Sequence, residues 1–200
     1  TISAGTLALG AGGSLVSSSI HLASGATFDP SAAGGFTLGS GQTLTGSGNV
    51  AGNLAIAPGG TLSPGSSPGL LTVTGDLSLL GTTQMELAAT GTRGTAFDAI
   101  DVNGAIVFGG TLTVTRLGGF NPTTGASFDL FNWTGASSGT LSSLNLPTLA
   151  AGLNWDTSAL YTNGVLSVGA SAIPEPATWA VLAGFAALGL AAWHRRPRAA

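Results

Sequence analysis

The chain has 200 residues, of which 6% are charged and 33 are glycine, and it contains no cysteine. Disulfides, thiolate metal sites and lipid attachment to cysteine are therefore excluded. The residues before Pro174 carry two arginines and seven carboxylates, so this mildly acidic part lacks the clustered cations needed to bind nucleic acid. The high glycine content is typical of disordered chains, but 44% of the residues are hydrophobic and they alternate regularly, which favours a folded body.

Short segments of alternating apolar and polar residues run through residues 1–116. Alternation with a period of two predicts β-strands that bury one face. No apolar stripe with helical spacing and helical length interrupts them. We therefore expect an all-β body. The predicted inward residues include Leu54, Ile56, Leu71, Val73, Leu77, Leu79, Ile100, Val102, Leu112 and Val114.

A loose repeat accompanies these strands, in which a glycine turn precedes a small polar residue and an inward apolar residue. Repeated short strands with glycine turns predict a β-solenoid. An antiparallel sandwich or meander is the alternative, because it also spaces short strands regularly. The architecture of 117–170 stays open: ASFDLFNWTG and ALYTNGVLSV resemble longer strands, and Asn163-Gly164 could form a hairpin turn. The repeat occurs at residues 5–7, 13–15, 25–28, 41–44, 59–62, 109–112 and 138–141.

The segment GSGNVAGNLAIAPGGTLSPGSSPGLLTVTGDLSL, Gly46 to Leu79, resembles the passenger-associated repeat of autotransporter-type surface proteins. The likeness continues more weakly from Phe97 to Val114. It implies a right-handed parallel β-helix exposed outside the cell and implies no activity. Since the repeat is already under way near Thr1, we expect the chain to be part of a longer protein.

The body offers few residues for catalysis. Asp98 and Asp101 are close in sequence, but their odd separation places them on opposite faces of one strand. His21 alternates with apolar neighbours and is expected on the polar face, without a catalytic role. We therefore predict no enzyme activity, no cofactor and no metal site. The remaining aspartates, expected at turns or on the solvent face, are Asp29, Asp76, Asp129 and Asp156.

Three aromatic residues near the end of the body have two interpretations. Trp133, Trp155 and Tyr161 could form a patch that stacks on sugars, but the favoured prediction is that they plug the wider end of the body. Asn132-Trp133-Thr134 also fits the N-glycosylation pattern, which is common by chance.

The tail differs sharply from the body. Ala177 to Trp193 is a run of 17 residues without a charge. As a helix it would span about 25 Å, slightly less than the hydrocarbon core of a bilayer. We expect a transmembrane helix with Trp179 and Trp193 at the two interfaces. Arginines on one side of such a segment stay in the cytoplasm, so the body would lie outside it. The orienting arginines are Arg195, Arg196 and Arg198.

Pro174-Glu175-Pro176, followed by this apolar run and the arginine cluster, resembles a PEP-CTERM sorting signal. The resemblance implies processing near the Pro-Glu-Pro residues by an exosortase, a membrane enzyme with a cysteine nucleophile. It also implies a Gram-negative host that produces exopolysaccharide, and hence exopolysaccharide as a further partner. The small residues Gly169 to Ala172 could act as a linker that gives the enzyme access.

Together these features predict a non-enzymatic surface or extracellular-matrix protein, held transiently by inner-membrane lipid and then released by an exosortase. The alternatives are the C-terminal part of a carbohydrate-active β-helix enzyme and a glycan-binding adhesin. The predicted units are β-solenoid repeats (1–116), a C-terminal β segment (117–168), a linker with the Pro-Glu-Pro motif (169–176), a transmembrane helix (177–193) and a basic cytoplasmic tail (194–200).

Overall fold

A computed structural model describes residues 1–171 of the chain, and these residues form mostly short β-strands. Two short helices accompany the strands, a 3-10 helix at Ser31–Ala33 and the helix α1 at Leu160–Asn163. The strands, in chain order, are β1 (Thr6–Ala8), β2 (Ser19–Leu22), β3 (Thr27–Asp29), β4 (Phe36–Leu38), β5 (Thr43–Gly46), β6 (Asn49–Val50), β7 (Leu54–Ile56), β8 (Thr61–Pro64), β9 (Leu70–Val73), β10 (Leu77–Leu79), β11 (Thr82–Leu87), β12 (Ala99–Val102), β13 (Ile106–Phe108), β14 (Thr111–Arg116), β15 (Ser127–Asp129), β16 (Phe131–Trp133), β17 (Ser137–Gly139), β18 (Ser143–Asn145), β19 (Leu153–Asp156) and β20 (Val165–Ala170).

Of the four sheets formed by residues 1–171, three are parallel. Sheet 1 has the order β2-β5-β8-β11-β14-β18, sheet 2 has the order β1-β3-β6-β9-β12-β16, and sheet 3 has the order β4-β7-β10-β13-β17. From β2 to β14 successive strands enter sheets 1, 2 and 3 in rotation, so three strands complete one coil. Parallel pairing with this rotation is compatible with the predicted β-solenoid and excludes an antiparallel sandwich for these strands. The right-handed sense stays a prediction. We call these three sheets the parallel body.

The register of sheet 1 explains the alternating sequence. Inward residues stack on one another from coil to coil, as Leu44 does on Leu62, and both are fully buried. Burying each such leucine contributes about 1.5–3 kcal/mol. The inward residues predicted from alternation are buried as expected. On the outer face the register aligns a column of hydroxyl side chains: Ser19, Thr43, Thr61, Thr82, Thr111 and Ser143.

Gly60 and Gly81 each precede a threonine and occupy corners where two coils touch. The backbone N–H groups of Thr82 and Thr111 donate to the carbonyls of Gly60 and Gly81, each at 2.9 Å. A Cβ atom on Gly81 would lie 2.5 Å from the carbonyl oxygens of both Ala57 and Gly60. At Gly81, close approach of the backbones therefore requires glycine, whereas Gly5, Gly25 and Gly41 of the repeat adopt a positive φ instead.

The corners between sheets 2 and 3 use polar side chains instead. Asn53 Oδ1 accepts a hydrogen bond from the Asp76 N–H at 2.9 Å. Asp76 Oδ1 in turn accepts from the Ala105 N–H at 2.8 Å, one coil further on. Each of these side chains satisfies a backbone donor of the following coil, which ties neighbouring corners together.

The fourth sheet is antiparallel and lies at the C-terminal end of the described residues. Strand β20 is its central strand, between β15 and β19. Its register pairs Phe128 with Leu166 and Leu153 with Ala170. We call β15, β19 and β20 the antiparallel sheet, and its buried residues Phe128, Leu166 and Val168 join the core of the parallel body.

The structure corrects three expectations for residues 117–170. ASFDLFNWTG is not one strand, because β15 pairs with β20 whereas β16 pairs with β12 in the parallel body. Residues 160–163 form a helical turn rather than an extended strand. This turn places the side chain of Leu160 in the core, where it is fully buried. Asn163-Gly164 does not form a tight hairpin turn: it ends α1, with Gly164 in the left-handed conformation (φ 74°).

None of the helices within residues 1–171 has the length and hydropathy needed to span a bilayer. The predicted transmembrane helix at 177–193 and the basic tail at 194–200 lie outside the described residues.

Candidate functional site

The junction between the antiparallel sheet and the tail is the first candidate, because the predicted sorting signal follows it. Strand β20 pairs Gly169 with Asn154 and Ala170 with Leu153. The strand thus extends into the range expected to be a linker. Ser171 is also tied down: its N–H donates to the carbonyl of Gly152 at 2.8 Å, and its hydroxyl accepts from Asn154 Nδ2 at 3.1 Å.

Aromatic packing holds this sheet in place. Phe128 is fully buried and meets Phe97 edge-to-face, with ring centroids 5.4 Å apart. Trp155 lies against Phe128 at 6.1 Å, and its indole N–H donates to the carbonyl of Pro147 at 2.8 Å. The polypeptide therefore leaves a well-packed sheet at Ser171.

The residues assigned to sorting and membrane insertion follow Ser171 and lie outside the described residues. Their individual roles stay predictions. They are Pro174, Glu175, Pro176, Trp179, Trp193, Arg195, Arg196 and Arg198.

Asp98 is the most perturbed carboxylate among the described residues. Its side chain is fully buried and accepts hydrogen bonds from the N–H groups of Gly69 at 2.7 Å and Glu86 at 2.8 Å. Burial raises its pKa to about 7, although the two N–H donors act in the opposite direction. Asp98 joins the 65–69 turn to β11, so its role in this geometry is structural.

Arg93 forms a second charged cluster with Asp101 and Asp129. Its guanidinium Nη1 lies 2.5 Å from Asp101 Oδ1, and Nε donates to the carbonyl of Asp129 at 2.8 Å. Nη2 donates to the carbonyl of Ile100 at 3.1 Å. Burial raises the pKa of Asp129, and the neighbouring Arg93 opposes this shift. Asp98 and Asp101 do not converge, as their spacing predicted.

The other acidic residues also make local structural bonds. Asp29 accepts from the N–H and hydroxyl of Ser31, and Asp156 accepts from the N–H of Ser158. These bonds lower the pKa of both exposed carboxyls. His21 lies on the outer face as predicted, with Nδ1 at 3.0 Å from the hydroxyl of Thr45. Within residues 1–171, no group of three or more His, Cys, Asp or Glu side chains is arranged to hold a metal ion.

The three aromatic residues singled out in the sequence divide between two clusters. Trp133 and Tyr161 pack edge-to-face around Phe108, with centroids at 5.9 and 5.4 Å. Trp155 belongs instead to the Phe128 cluster. This packing agrees with the plug interpretation and rules out a single patch made of all three.

Sequence reasoning missed the structural roles of Asp98 and Arg93. Both follow β11 in the irregular segment before β12, where alternation carries no information. The signal that could have pointed to them is compositional, since charged residues are rare in this chain and two of them fall within residues 93–98.

A comparison with known protein families finds a match in the tail. Residues 172–196 match the PEP-CTERM protein-sorting motif, so the match begins directly after the last described residue, Ser171. The matched range contains Pro174-Glu175-Pro176, Arg195 and Arg196, and it ends before Arg198. No curated protein and no solved structure matches the chain. The chain therefore carries a PEP-CTERM sorting motif, which indicates an exported protein that an exosortase targets.

Proposed function

We propose that this chain is a non-enzymatic structural protein of the cell surface or extracellular matrix. In this proposal the tail holds the body temporarily at the inner membrane, with the body outside the cytoplasm, until an exosortase releases it. The observation that carries the proposal is the sorting motif at residues 172–196, which begins two residues after β20 ends, where Gly169 and Ala170 pair with β19.

The position of the motif suits processing of a folded protein. Ser171 is hydrogen-bonded to Gly152, and Glu175 follows it by four residues. An extended chain of that length reaches at most about 14 Å. The processing enzyme would thus act close to the antiparallel sheet. From the sequence we expect the prolines on both sides of Glu175 to disfavour helix in this short stretch.

The carboxylates of the body support a structural role. Asp98 bridges two backbone N–H groups, Asp76 bonds to the next coil, and Asp101 pairs with Arg93. Each of these groups bonds to backbone N–H groups or to a neighbouring charge.

Mass spectrometry of the mature protein tests the sorting step. We would express the full chain behind a signal peptide in cells with and without an active exosortase, and measure the intact mass of the product. We expect loss of the residues beyond the Pro-Glu-Pro region only when the exosortase is present. An uncleaved tail in exosortase-positive cells would contradict the proposal.

The two glutamates of the chain, Glu86 and Glu175, provide a matched control. Glu175→Gln changes the motif, and we expect it to slow processing. Glu86→Gln changes the body, where Glu86 accepts a hydrogen bond from the Ser67 hydroxyl, and we expect processing to be unchanged. Equal processing of both variants would show that Glu175 has no part in recognition.

Membrane insertion needs a separate measurement. Fusion of residues 173–200 to a reporter should place the reporter in the membrane fraction, because the apolar run would span the bilayer. Substitution of Arg195, Arg196 and Arg198 by glutamine should reduce the preference for a cytoplasmic C-terminus. A fusion that stays freely soluble would contradict the transmembrane assignment.

A further inference from the structure

A cleft of about 280 Å³ lies at the C-terminal end of the parallel body, between strand β16 and helix α1. Phe131, Asn132 and Trp133 form one wall, and Thr162 and Asn163 form the other. None of these residues takes part in the junction at Ser171, and none belongs to the sorting motif.

Backbone contacts hold the two walls together. The carbonyl of Gly164, directly after α1, accepts from the N–H groups of Leu130 at 3.0 Å and Phe131 at 3.3 Å. At the other end of α1, the Tyr161 carbonyl accepts from the Ser137 hydroxyl at 3.2 Å. Because the walls are already fixed, a ligand would bind with little loss of conformational freedom.

The side chains of the cleft offer a mainly polar surface next to the indole of Trp133. Trp133 is half-buried and packs on Phe108 with an interplanar angle of 77°. Among the hydrogen bonds of residues 1–171, none involves the Trp133 indole N–H or the side-chain amides of Asn132 and Asn163. Both asparagines are exposed, so their donors and acceptors are available to a ligand.

The charge of the cleft narrows the class of ligand. No charged residue lines it, so an anionic or cationic ligand would find no counter-ion. Asp101 lies beside Asn132 in the register of sheet 2, but its carboxylate is paired with Arg93 at 2.5 Å. An amide side chain donates and accepts at once, which matches pairs of hydroxyl groups. An indole ring offers an apolar surface with a polar edge, which suits the C–H face of a sugar ring.

We propose that this cleft binds a neutral glycan, with Trp133 packing against a sugar ring and Asn132 and Asn163 bonding to its hydroxyl groups. This binding goes beyond the proposed sorting function, because it does not depend on the tail or on an exosortase. Its failure would leave the sorting proposal intact.

Glycan binding by the purified full chain tests the proposal. The probes are neutral cello-, xylo- and manno-oligosaccharides, with acidic uronic-acid oligosaccharides on the same array. We expect binding to at least one neutral probe and no binding that is confined to the acidic probes. The affinity for the best neutral probe is then measured by isothermal titration calorimetry.

Variants with exposed changes separate binding from folding. The double variant Asn132→Ala/Asn163→Ala should weaken binding by about tenfold or more, as expected for the loss of two hydrogen bonds. Asn145→Ala alters an exposed asparagine on sheet 1 and should leave the affinity unchanged. Trp133→Phe keeps an aromatic ring on Phe108 but reduces the stacking surface, so binding should weaken while the thermal midpoint stays near that of the parent.

Three results would overturn the proposal. They are no binding to any neutral probe, binding confined to acidic probes, and neutral-glycan binding that the Asn132→Ala/Asn163→Ala variant leaves unchanged. The thermal midpoint of each variant is measured alongside, so that loss of folding is not mistaken for loss of binding.

Discussion

The parallel body and the antiparallel sheet bury apolar residues in different ways. In the parallel body, aliphatic residues such as Leu44 and Leu62 stack on their equivalents in the next coil. In the antiparallel sheet an aromatic cluster adds to the buried Leu166 and Val168, and in it Phe128 meets Phe97, Phe120 and Trp155. A coil has a similar coil on which to stack, whereas the end of the body must be closed by larger side chains.

Backbone hydrogen bonds show the same contrast. Strands inside the parallel body are paired on both edges. At the last coil the N–H groups of Leu130 and Phe131 are instead satisfied by the carbonyl of Gly164. Unpaired strand edges invite association with other chains, so covering them favours a discrete folded unit.

Four predictions test this contrast between the parallel body and the antiparallel sheet, in order of decreasing effect.

Truncation of an aromatic residue in the antiparallel sheet should cost the most. We expect Phe128→Ala to lower the free energy of unfolding by about 3–5 kcal/mol, because it removes a fully buried ring. Leu62→Ala in the parallel body should cost about 2–5 kcal/mol. Urea unfolding of the full chain, followed by circular dichroism, measures both. Leu80→Ala is the control, since Leu80 is 48% exposed and should change stability by less than about 0.5 kcal/mol. Equal effects of Phe128→Ala and Leu80→Ala would refute the assigned packing.

Asp98 should make the stability of the parallel body depend on pH. Its pKa is raised from 3.8 to about 7 in the folded state, so the protonated form favours folding. Its stabilising contribution is complete below about pH 4 and is lost as the pH rises through about 7.

Asp98→Asn removes this titration, because asparagine stays neutral. The free energy of unfolding of the parent, minus that of the variant, should fall between pH 4 and 7 by on the order of 1 kcal/mol per pH unit. Above pH 7 this difference should stay constant. The titrations of the other carboxylates contribute to the parent and to the variant alike, so they cancel when the two free energies are subtracted. A difference that is constant, or that rises over this range, would show that burial does not dominate at Asp98.

A methyl group at a glycine corner should separate two coils. Gly81→Ala places Cβ 2.5 Å from two carbonyl oxygens, and overpacking of this kind costs about 1–3 kcal/mol. Gly169→Ala in the antiparallel sheet is the control, since no atom of residues 1–171 lies within 4 Å of its Cβ position. Thermal unfolding compares the two variants. If Gly81→Ala were as stable as Gly169→Ala, close contact would not explain the glycine before Thr82.

Thr83→Val should give the smallest effect and the opposite sign. Thr83 stacks between Leu62 and Leu112 in sheet 1, and its buried hydroxyl has no hydrogen-bond partner among residues 1–171. Replacing it with a methyl group should stabilise the fold by about 1 kcal/mol, which corresponds to a midpoint increase of about 2–4 °C for a chain of this size. Thr82→Val, on the half-exposed outer face, should change the midpoint little. A lower midpoint for Thr83→Val would mean that the hydroxyl contributes to the core.

Much of the parallel body could be predicted because its alternation is local. The alternation of Ile100 and Val102 with Asp101 is visible in the sequence, and those two apolar residues are buried in the structure. The end of the chain was harder, because ALYTNGVLSV has strand-like composition and yet residues 160–163 form a helical turn that places Leu160 in the core. The cleft beside Trp133 could not be predicted at all, since its walls are about 30 residues apart in the sequence.

The sequence by itself determined the periodicity of the strands, the glycine corners and the sorting motif, because each depends on residues that are near neighbours along the chain. Only the tertiary structure decided that Asp98 is buried, that Arg93 reaches Asp101 and Asp129, and that the strand before the tail is paired up to Ala170. The burial of Asp98, the contacts of Arg93 and the pairing of the last strand each depend on which segments become neighbours in space. That choice is made by packing between segments that are far apart in the sequence.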